Sequence, residues 1–449
     1  MKHVLFLAYL FPPIANSGTQ RPLKFVKYLS AHGWSPIVLT AAEFDGLPTD
    51  PELLGDIPRD VSIVRVPMLN QYAAGLCRRA LGERVGSRIG SSIRWRLQHR
   101  YSVPDWYALW KPMAVRAALR IFRQRGFDAI YATGFPWTSL LAGREIAAAT
   151  GRPLIADFRD PWIGESESFR ERAPHESEAG LERQVVADAH TVVTATTSMI
   201  RLMANTHPDQ PDEKFVAIHN GFDAADLPAP PPRLPGQPFR IAFTGVWKNR
   251  YNPSDLYDSI DWIRRARPGL LDGVEVIAAG FPPGEARRRG LDSVIHESVF
   301  LPHPQAVALM QSSDVLFLPH TDPTRQWAVP AKMYEYLASA RPVLALTDPD
   351  KETAQILRQV GGGIALSPED PGTLYRALSE ICATKRFDAP PRNLDALAMF
   401  ERRQLTAKLA AILDGAYEAS HAARADRAPS QSPSAGGLAS RSASLRLNS

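Results

Sequence analysis

Short apolar runs of strand length alternate with amphipathic stretches along most of the chain. That alternation predicts βα units feeding a parallel sheet. Residues 4–8 read as a first strand, followed by a Pro/Gly/Asn/Ser loop over 12–18 and a helix over about 20–31. Thr19 suits its N-cap and Gly33 its stop. Residues 36–40, 63–66, 129–132, 154–157 and 191–195 continue the strand series. His219-Asn220-Gly221-Phe222-Asp223 then carries turn chemistry, and 228–238 is proline-dense, which marks a boundary. A second series runs through 240–244, 274–279, 315–318 and 342–346. Gly361-Gly362-Gly363 reads as a helix C-cap and turn. The expected architecture is α/β, with two Rossmann-like doubly wound domains facing a cleft. The first covers 1–222 with an insertion at about 70–110, and the second covers 223–397. A helix over 398–418 returns to the first domain, and 419–449, rich in Arg, Ser, Ala and Pro, is an expected disordered tail.

Composition narrows the class. At 449 residues the chain exceeds one ordinary core, and 45% hydrophobic with 22% charged residues describes a globular protein. A net charge of +5 favours an anionic ligand or surface without arguing for nucleic acid. Cys77 and Cys382 are far apart and lack metal-site spacing, so a reducing compartment is expected. The apolar run near the N-terminus is short and ends in Pro12-Pro13, unlike a signal segment. No run is long enough to span a bilayer. The expected location is cytoplasmic, or peripheral at the inner face of the plasma membrane.

Residues 329–346 hold the most informative local pattern. Lys332 and Glu335 lie three apart at the start of a helical stretch, followed by Ser339-Ala340-Arg341-Pro342 and an apolar strand. Residues at i and i+3 share a helix face, so both side chains reach into one cleft. A cation and the N–H groups of a helix end suit a diphosphate, and a carboxylate suits a ribose diol. An ordinary surface Lys–Glu pair gives the same spacing.

Several ordered motifs decide between these readings. Phe11-Pro12-Pro13 with Gly18 and Arg21 follows the first strand. Tyr131-Ala132-Thr133-Gly134-Phe135-Pro136 and Ala156-Asp157-Phe158-Arg159-Asp160-Pro161-Trp162 follow later strands. Asn220-Gly221-Phe222-Asp223 lies between the domains, Phe243-Thr244-Gly245 opens the second, and the Lys332/Glu335 segment closes the set. Over residues 1–418 the chain resembles the retaining glycosyltransferases of family 4, of the polysaccharide-biosynthesis type, with the GT-B fold. The resemblance implies a nucleotide-sugar donor, UDP-linked by expectation, and transfer to a glycan or lipid-linked sugar hydroxyl with retention. It implies no divalent metal and no other cofactor. Glu335 matches the second glutamate of the family's E-x7-E signature, the residue on the donor ribose. The first glutamate is missing, and Trp327 stands in its place.

The resemblance also implies cations on the diphosphate after the strand that ends at Gly245. The usual arginine is Val246 here, and Lys248 and Arg250 are the nearest substitutes; a solvent-facing basic loop is the competing reading. Gly18 lets backbone approach the phosphates closely. Asp157, Arg159 and Asp160 cluster at the carboxyl end of a strand, where α/β sheets bind ligands. They are the catalytic candidates, orienting an acceptor hydroxyl or steadying developing charge; an interdomain salt-bridge network is the alternative. Thr133-Gly134 occupies the place of the family's histidine, so no catalytic histidine carries over. His219, His296, His303 and His320 lack ligand spacing and read as structural or solvent-facing.

Between residues 78 and 100 stand seven arginines against one acid, Glu83, interleaved with apolar positions and with Trp95, Trp106 and Trp110 in or beyond the run. Such a segment suits an anionic membrane surface, and equally a solvated basic helix pair. Two other classes compete with the transferase. One is a scaffold subunit that lost activity through Trp327, and the other is a nucleotide-sugar epimerase on the same fold.

Overall fold

The computed structural model describes residues 1–42, 47–163, 176–230, 235–245, 254–280, 283–299 and 301–425. The first domain holds seven strands: β1 (Lys2–Leu7), β2 (Trp34–Ala41), β3 (Ser62–Val66), β4 (Ala129–Gly134), β5 (Leu154–Phe158), β6 (Thr191–Thr194) and β7 (Phe215–Ala217). They pair in parallel in the order β3-β2-β1-β4-β5-β6-β7. The second domain holds β8 (Phe239–Thr244), β9 (Val274–Ala279), β10 (Ile295–Ser298), β11 (Val315–His320), β12 (Val343–Thr347) and β13 (Gly363–Leu366). Their order, β10-β9-β8-β11-β12-β13, is again all parallel. In each sheet the order reverses at the domain's first strand. A ligand crevice therefore opens beyond the carboxyl ends of β1 and β4, and of β8 and β11.

Three strands escape the sequence pattern: β7, β10 and β13. All are edges of three or four residues, and β10 carries His296, Glu297 and Ser298 on its way out to solvent. Central strands are buried on both faces and read as continuous apolar runs. In β1, Leu5 and Leu7 join one core while Val4 and Phe6 join another. That second core is completed from the far end of the chain by Leu405, Leu409 and Leu413 of the helix Arg402–Ala425. This helix packs on Ser17–Tyr28, and Asp414 accepts from the Trp34 indole at 2.9 Å. It starts later and runs further than the expected 398–418, so 419–425 is helical rather than part of a tail. Residues 426–449 lie outside the described residues. No helix among the described residues is long and apolar enough to cross a membrane.

The chain crosses between domains twice at one place. Phe222 donates to the Phe400 carbonyl at 3.2 Å, and Arg402 to that of Phe222 at 2.8 Å. A Cβ on Gly221 would fall 2.0 Å from the Phe400 carbonyl oxygen, so only glycine permits this approach. Beside the crossing, Glu352 of the second domain accepts from Thr197 N (2.8 Å), Ser198 N (2.6 Å) and His219 Nε2 (2.9 Å). It thereby satisfies the open end of the first-domain helix Thr197–Thr206, with Thr196 as N-cap. Burial favours the neutral acid, but these bonds outweigh it and push the Glu352 pKa down to about 2. Its stabilisation is present above the unfolded value of 4.5 and lost as pH falls towards 2. Across that range the thermal midpoint of Glu352→Gln is expected to fall less steeply than that of the native chain. Parallel slopes would mean that the clamp adds nothing.

Candidate functional site

The helix after β1 starts at Ser17, because Asn16 rather than the expected Thr19 caps it, accepting from Gly18 N at 2.8 Å. Four residues on, Arg21 points into the sheet end and is 1% exposed. Its Nε and Nη2 each donate to Asp157 at 2.9 Å, and its Nη1 donates to the carbonyls of Ile218 (2.7 Å) and His219 (3.0 Å). Tyr131 and Thr133 of β4 add hydroxyl donors to Asp157 at 2.5 and 3.0 Å. Burial works against the Arg21 charge, but Asp157 and Tyr131 overcome it and hold the guanidinium above its ordinary pKa.

The three catalytic candidates therefore part company. Asp157 is fully buried, both of its oxygens are taken by protein donors, and it offers no face to a substrate. Asp160 reaches instead across the domain boundary to Arg325 at 3.3 Å. Arg159 turns to the crevice, donating from Nε to the Gly134 carbonyl at 2.7 Å and from Nη2 to that of Phe135. An Asp–Arg–Asp cluster does not form, because the more distant Arg21 matches both oxygens of Asp157. Burial lowers the Arg159 pKa, partly countered by Asp160 and Asp157. A Cβ on Gly18 would lie 2.5 Å from Arg159 Nη1, so Gly18 makes room for a guanidinium at the end of the β1 loop.

In the second domain, β8 ends at Thr244 and Gly245 turns with φ 143°, a conformation that side chains resist. The helix Lys332–Ala338 is tied to this turn. Tyr336 OH accepts from Thr244 N at 2.8 Å, and Lys332 Nζ donates to the Thr244 carbonyl at 3.1 Å. Nζ also lies 3.7 Å from the Phe243 ring centroid, and 2.9 Å from where a Gly245 Cβ would stand. Burial holds the Lys332 pKa well below its ordinary value, a cost that an adjacent anion would offset. Lys248 and Arg250 lie outside the described residues.

One turn after Lys332, Glu335 meets His303 Nε2 at 2.9 Å. Sequence reasoning sets His303 aside, since nothing at a distance of 32 residues signals the pair. Arg402, buried at the domain crossing, senses the Glu335 charge, and its Nη1 is buried without a hydrogen-bond partner. Burial first, then Arg21, pulls the Arg402 pKa down to about 10. Trp327 faces the first domain. It packs on that core, its carbonyl accepts from Thr196 Oγ1 at 2.6 Å, and Arg325 lies 5.0 Å from its ring centroid. Its indole nitrogen is buried without an acceptor.

One group of three acids among the described residues has metal-like closeness: Asp56, Asp223 and Asp226. Two lysines already engage it. Lys24 contacts Asp56, Asp223 and Asp226 at 2.5, 2.8 and 2.8 Å, and Lys27 contacts Asp56 and Asp223 at 2.7 and 3.0 Å.

Residues 19–221 match the family model described as a glycosyl transferase 4-like domain. No curated protein matches the chain in sequence. Among solved structures, HepE from Anabaena in complex with UDP and glucose is 13% identical with a TM-score of 0.59, over 92% of this chain and all of that one. Sucrose-phosphate synthase from Thermosynechococcus elongatus is 12% identical with a TM-score of 0.57, over 95% and 98%. A putative UDP-N-acetylglucosamine 2-epimerase from Listeria monocytogenes is 12% identical with a TM-score of 0.51, over 93% and 98%. These likenesses show a GT-B fold, and with the family model they bear out the resemblance to family-4 glycosyltransferases.

The Glu335–His303 pair yields a pH dependence. Burial opposes the imidazolium, but the bond to Glu335 and the charge of Asp226 more than compensate, despite Lys24 nearby, so the His303 pKa rises above 6.5. Its stabilisation is complete below 6.5 and lost as pH rises through the folded value. Between pH 6 and 9 the native thermal midpoint should drop relative to that of His303→Gln. A constant difference between the two would remove the ion pair from the site.

Proposed function

We propose that this GT-B glycosyltransferase-like chain moves a sugar from a UDP-linked donor to an acceptor hydroxyl in the building of a cell-surface or extracellular glycan, with retention at the anomeric carbon. One observation carries the reading. Lys332 and Glu335 occupy successive positions on one helix face, held by Tyr336 against the glycine turn at the carboxyl end of β8.

Departure of the nucleoside diphosphate builds negative charge on its phosphates, and preplaced cations lower that barrier. Lys332 takes this role from the second domain. Arg159, seated over Gly18 at the end of the β1 loop, takes it from the first. Glu335, oriented by His303, accepts from the ribose diol. Asp157 acts as a positioning residue through Arg21, and Asp160 as one through Arg325. The acceptor proton passes to the leaving phosphate, so no strong protein base is required, and no protein nucleophile is assigned. On this reading Lys332 and Arg159 carry the charge that a metal would otherwise carry, and the acid cluster at Asp56, Asp223 and Asp226 is engaged by Lys24 and Lys27. A scaffold role is the second reading, favoured by Trp327, whose ring is committed to the first-domain core where the family signature has an acid.

Titration with UDP tests the nucleotide site, and donor turnover separates the two readings. Glu335→Ala should weaken binding by about 1.5–3 kcal/mol, the worth of hydrogen bonds to a charged group, with the fold retained. Unchanged affinity would remove Glu335 from the nucleotide site. Lys332→Met should lower turnover about 10²–10³-fold. If the native chain neither hydrolyses nor transfers any of a panel of nucleotide sugars, the scaffold reading replaces the transferase.

A further inference from the structure

The segment Leu69–Arg100 is two helical arms that meet at a kink and fold back on each other. Gly82 leaves the helical region with φ 74° and ψ 168°. A Cβ on Gly90 would lie 3.1 Å from the backbone of Ala74, sixteen residues earlier, which is possible only if the two arms pack side by side. Asn70, Gln71, Ala74 and Gly90 are buried along the seam, whereas the outer surface is not covered. Leu76, Leu81, Val85, Ile89 and Trp95 are 42–61% exposed. Of the fourteen large apolar side chains exposed among the described residues, eight fall between residues 69 and 101. So dense a set marks an interaction surface rather than scattered surface residues.

The charge is equally concentrated. Seven arginines less Glu83 leave +6 on these 33 residues, against +5 for the whole chain, so the rest of the protein is slightly acidic. A second copy of the hairpin would bring +6 against +6. The tail 426–449 is also basic, with Arg427, Arg441 and Arg446 against Asp426. A nucleic acid would match the arginines but leave Leu81 and Val85 in water. An anionic lipid surface accepts both, aliphatic tip in the acyl boundary and guanidinium groups on the phosphates.

We propose that this hairpin docks the protein on an anionic bilayer, with Leu81 and Val85 at the inserted tip. Its base leads to the crevice. Trp95 packs on His99 in a tilted pair at 4.1 Å, His99 meets Trp106 at 5.2 Å, and Tyr107 packs on Tyr9 at 4.4 Å and on Phe135 at 5.8 Å. The Phe135 carbonyl is the one that holds Arg159. The docked hairpin therefore sets the first domain's crevice at the lipid surface, where an acceptor carried on a lipid is presented; this last step alone rests on the glycosyl-transfer reading.

The full chain should co-sediment with phosphatidylcholine vesicles containing about one third phosphatidylglycerol, and not with pure phosphatidylcholine. Both Leu81→Asp with Val85→Asp and Arg78→Glu with Arg96→Glu should weaken binding about tenfold or more. Circular dichroism and UDP affinity should be unchanged in both variants, which keeps a failure of docking distinct from a failure of the nucleotide site. No binding to the anionic vesicles would overturn the proposal. So would binding lost with the arginines but untouched by the Leu81/Val85 pair. A dimer dissolved by the latter pair, without vesicle binding, would assign the surface to a second copy instead.

Discussion

The buried Arg21–Asp157 pair is the constraint on which the rest of the first domain's working end depends. Arg21 belongs to the helix after β1, Asp157 to β5, Tyr131 and Thr133 to β4, and the carbonyls of Ile218 and His219 to the stretch after β7. One guanidinium thus fixes the end of the central strands relative to the point where the chain leaves for the second domain. A fully desolvated ion pair is tolerated only when its geometry is good and its remaining donors are satisfied. Here two bonds meet the carboxylate face on, and the other two meet backbone carbonyls. Stripping either partner would strand a charge in a sealed space, at about 3–5 kcal/mol. The network's value lies less in net stability than in permitting one arrangement.

That arrangement decides what Arg159 can do. With Asp157 committed to Arg21 and Asp160 turned to Arg325, two backbone carbonyls hold Arg159 in place while the two carboxylates only partly offset its burial. A cation kept partly desolvated, with its pKa drawn down, gains most from an incoming anion. Lys332 is in the same electrostatic condition in the other domain. Two half-buried cations, each given room by a glycine, one in the first turn of the helix after β1 and one directly after β8, form the common logic of the two domains. Gly18 admits one and Gly245 the other.

The sequence reveals what local periodicity encodes. Strands buried on both faces announce themselves, as do the i, i+3 spacing of Lys332 and Glu335 and the proline-dense linker. The edge strands β7, β10 and β13 do not, being short and partly polar. Long-range pairing is illegible for a different reason. Arg21 and Asp157 stand 136 residues apart, and His303 and Glu335 stand 32 apart. Read alone, Asp157-Arg159-Asp160 looks like one cluster because its members are adjacent in the chain. In the fold each has a better partner elsewhere. The length of the last helix is also a tertiary matter, since Leu405, Leu409 and Leu413 are buried only because β1 and its neighbours need a cover.

Trp327 is the point where these constraints meet the specificity of the site. A carboxylate there would have been set against the apolar first-domain core. An indole instead packs on that core, carries the Arg325 guanidinium against its ring and leaves its backbone carbonyl to Thr196. Arg325 also bridges to Asp160, and Glu352 clasps the neighbouring helix end. Away from the indole, Lys332, Glu335 and His303 keep the second domain's end of the crevice polar.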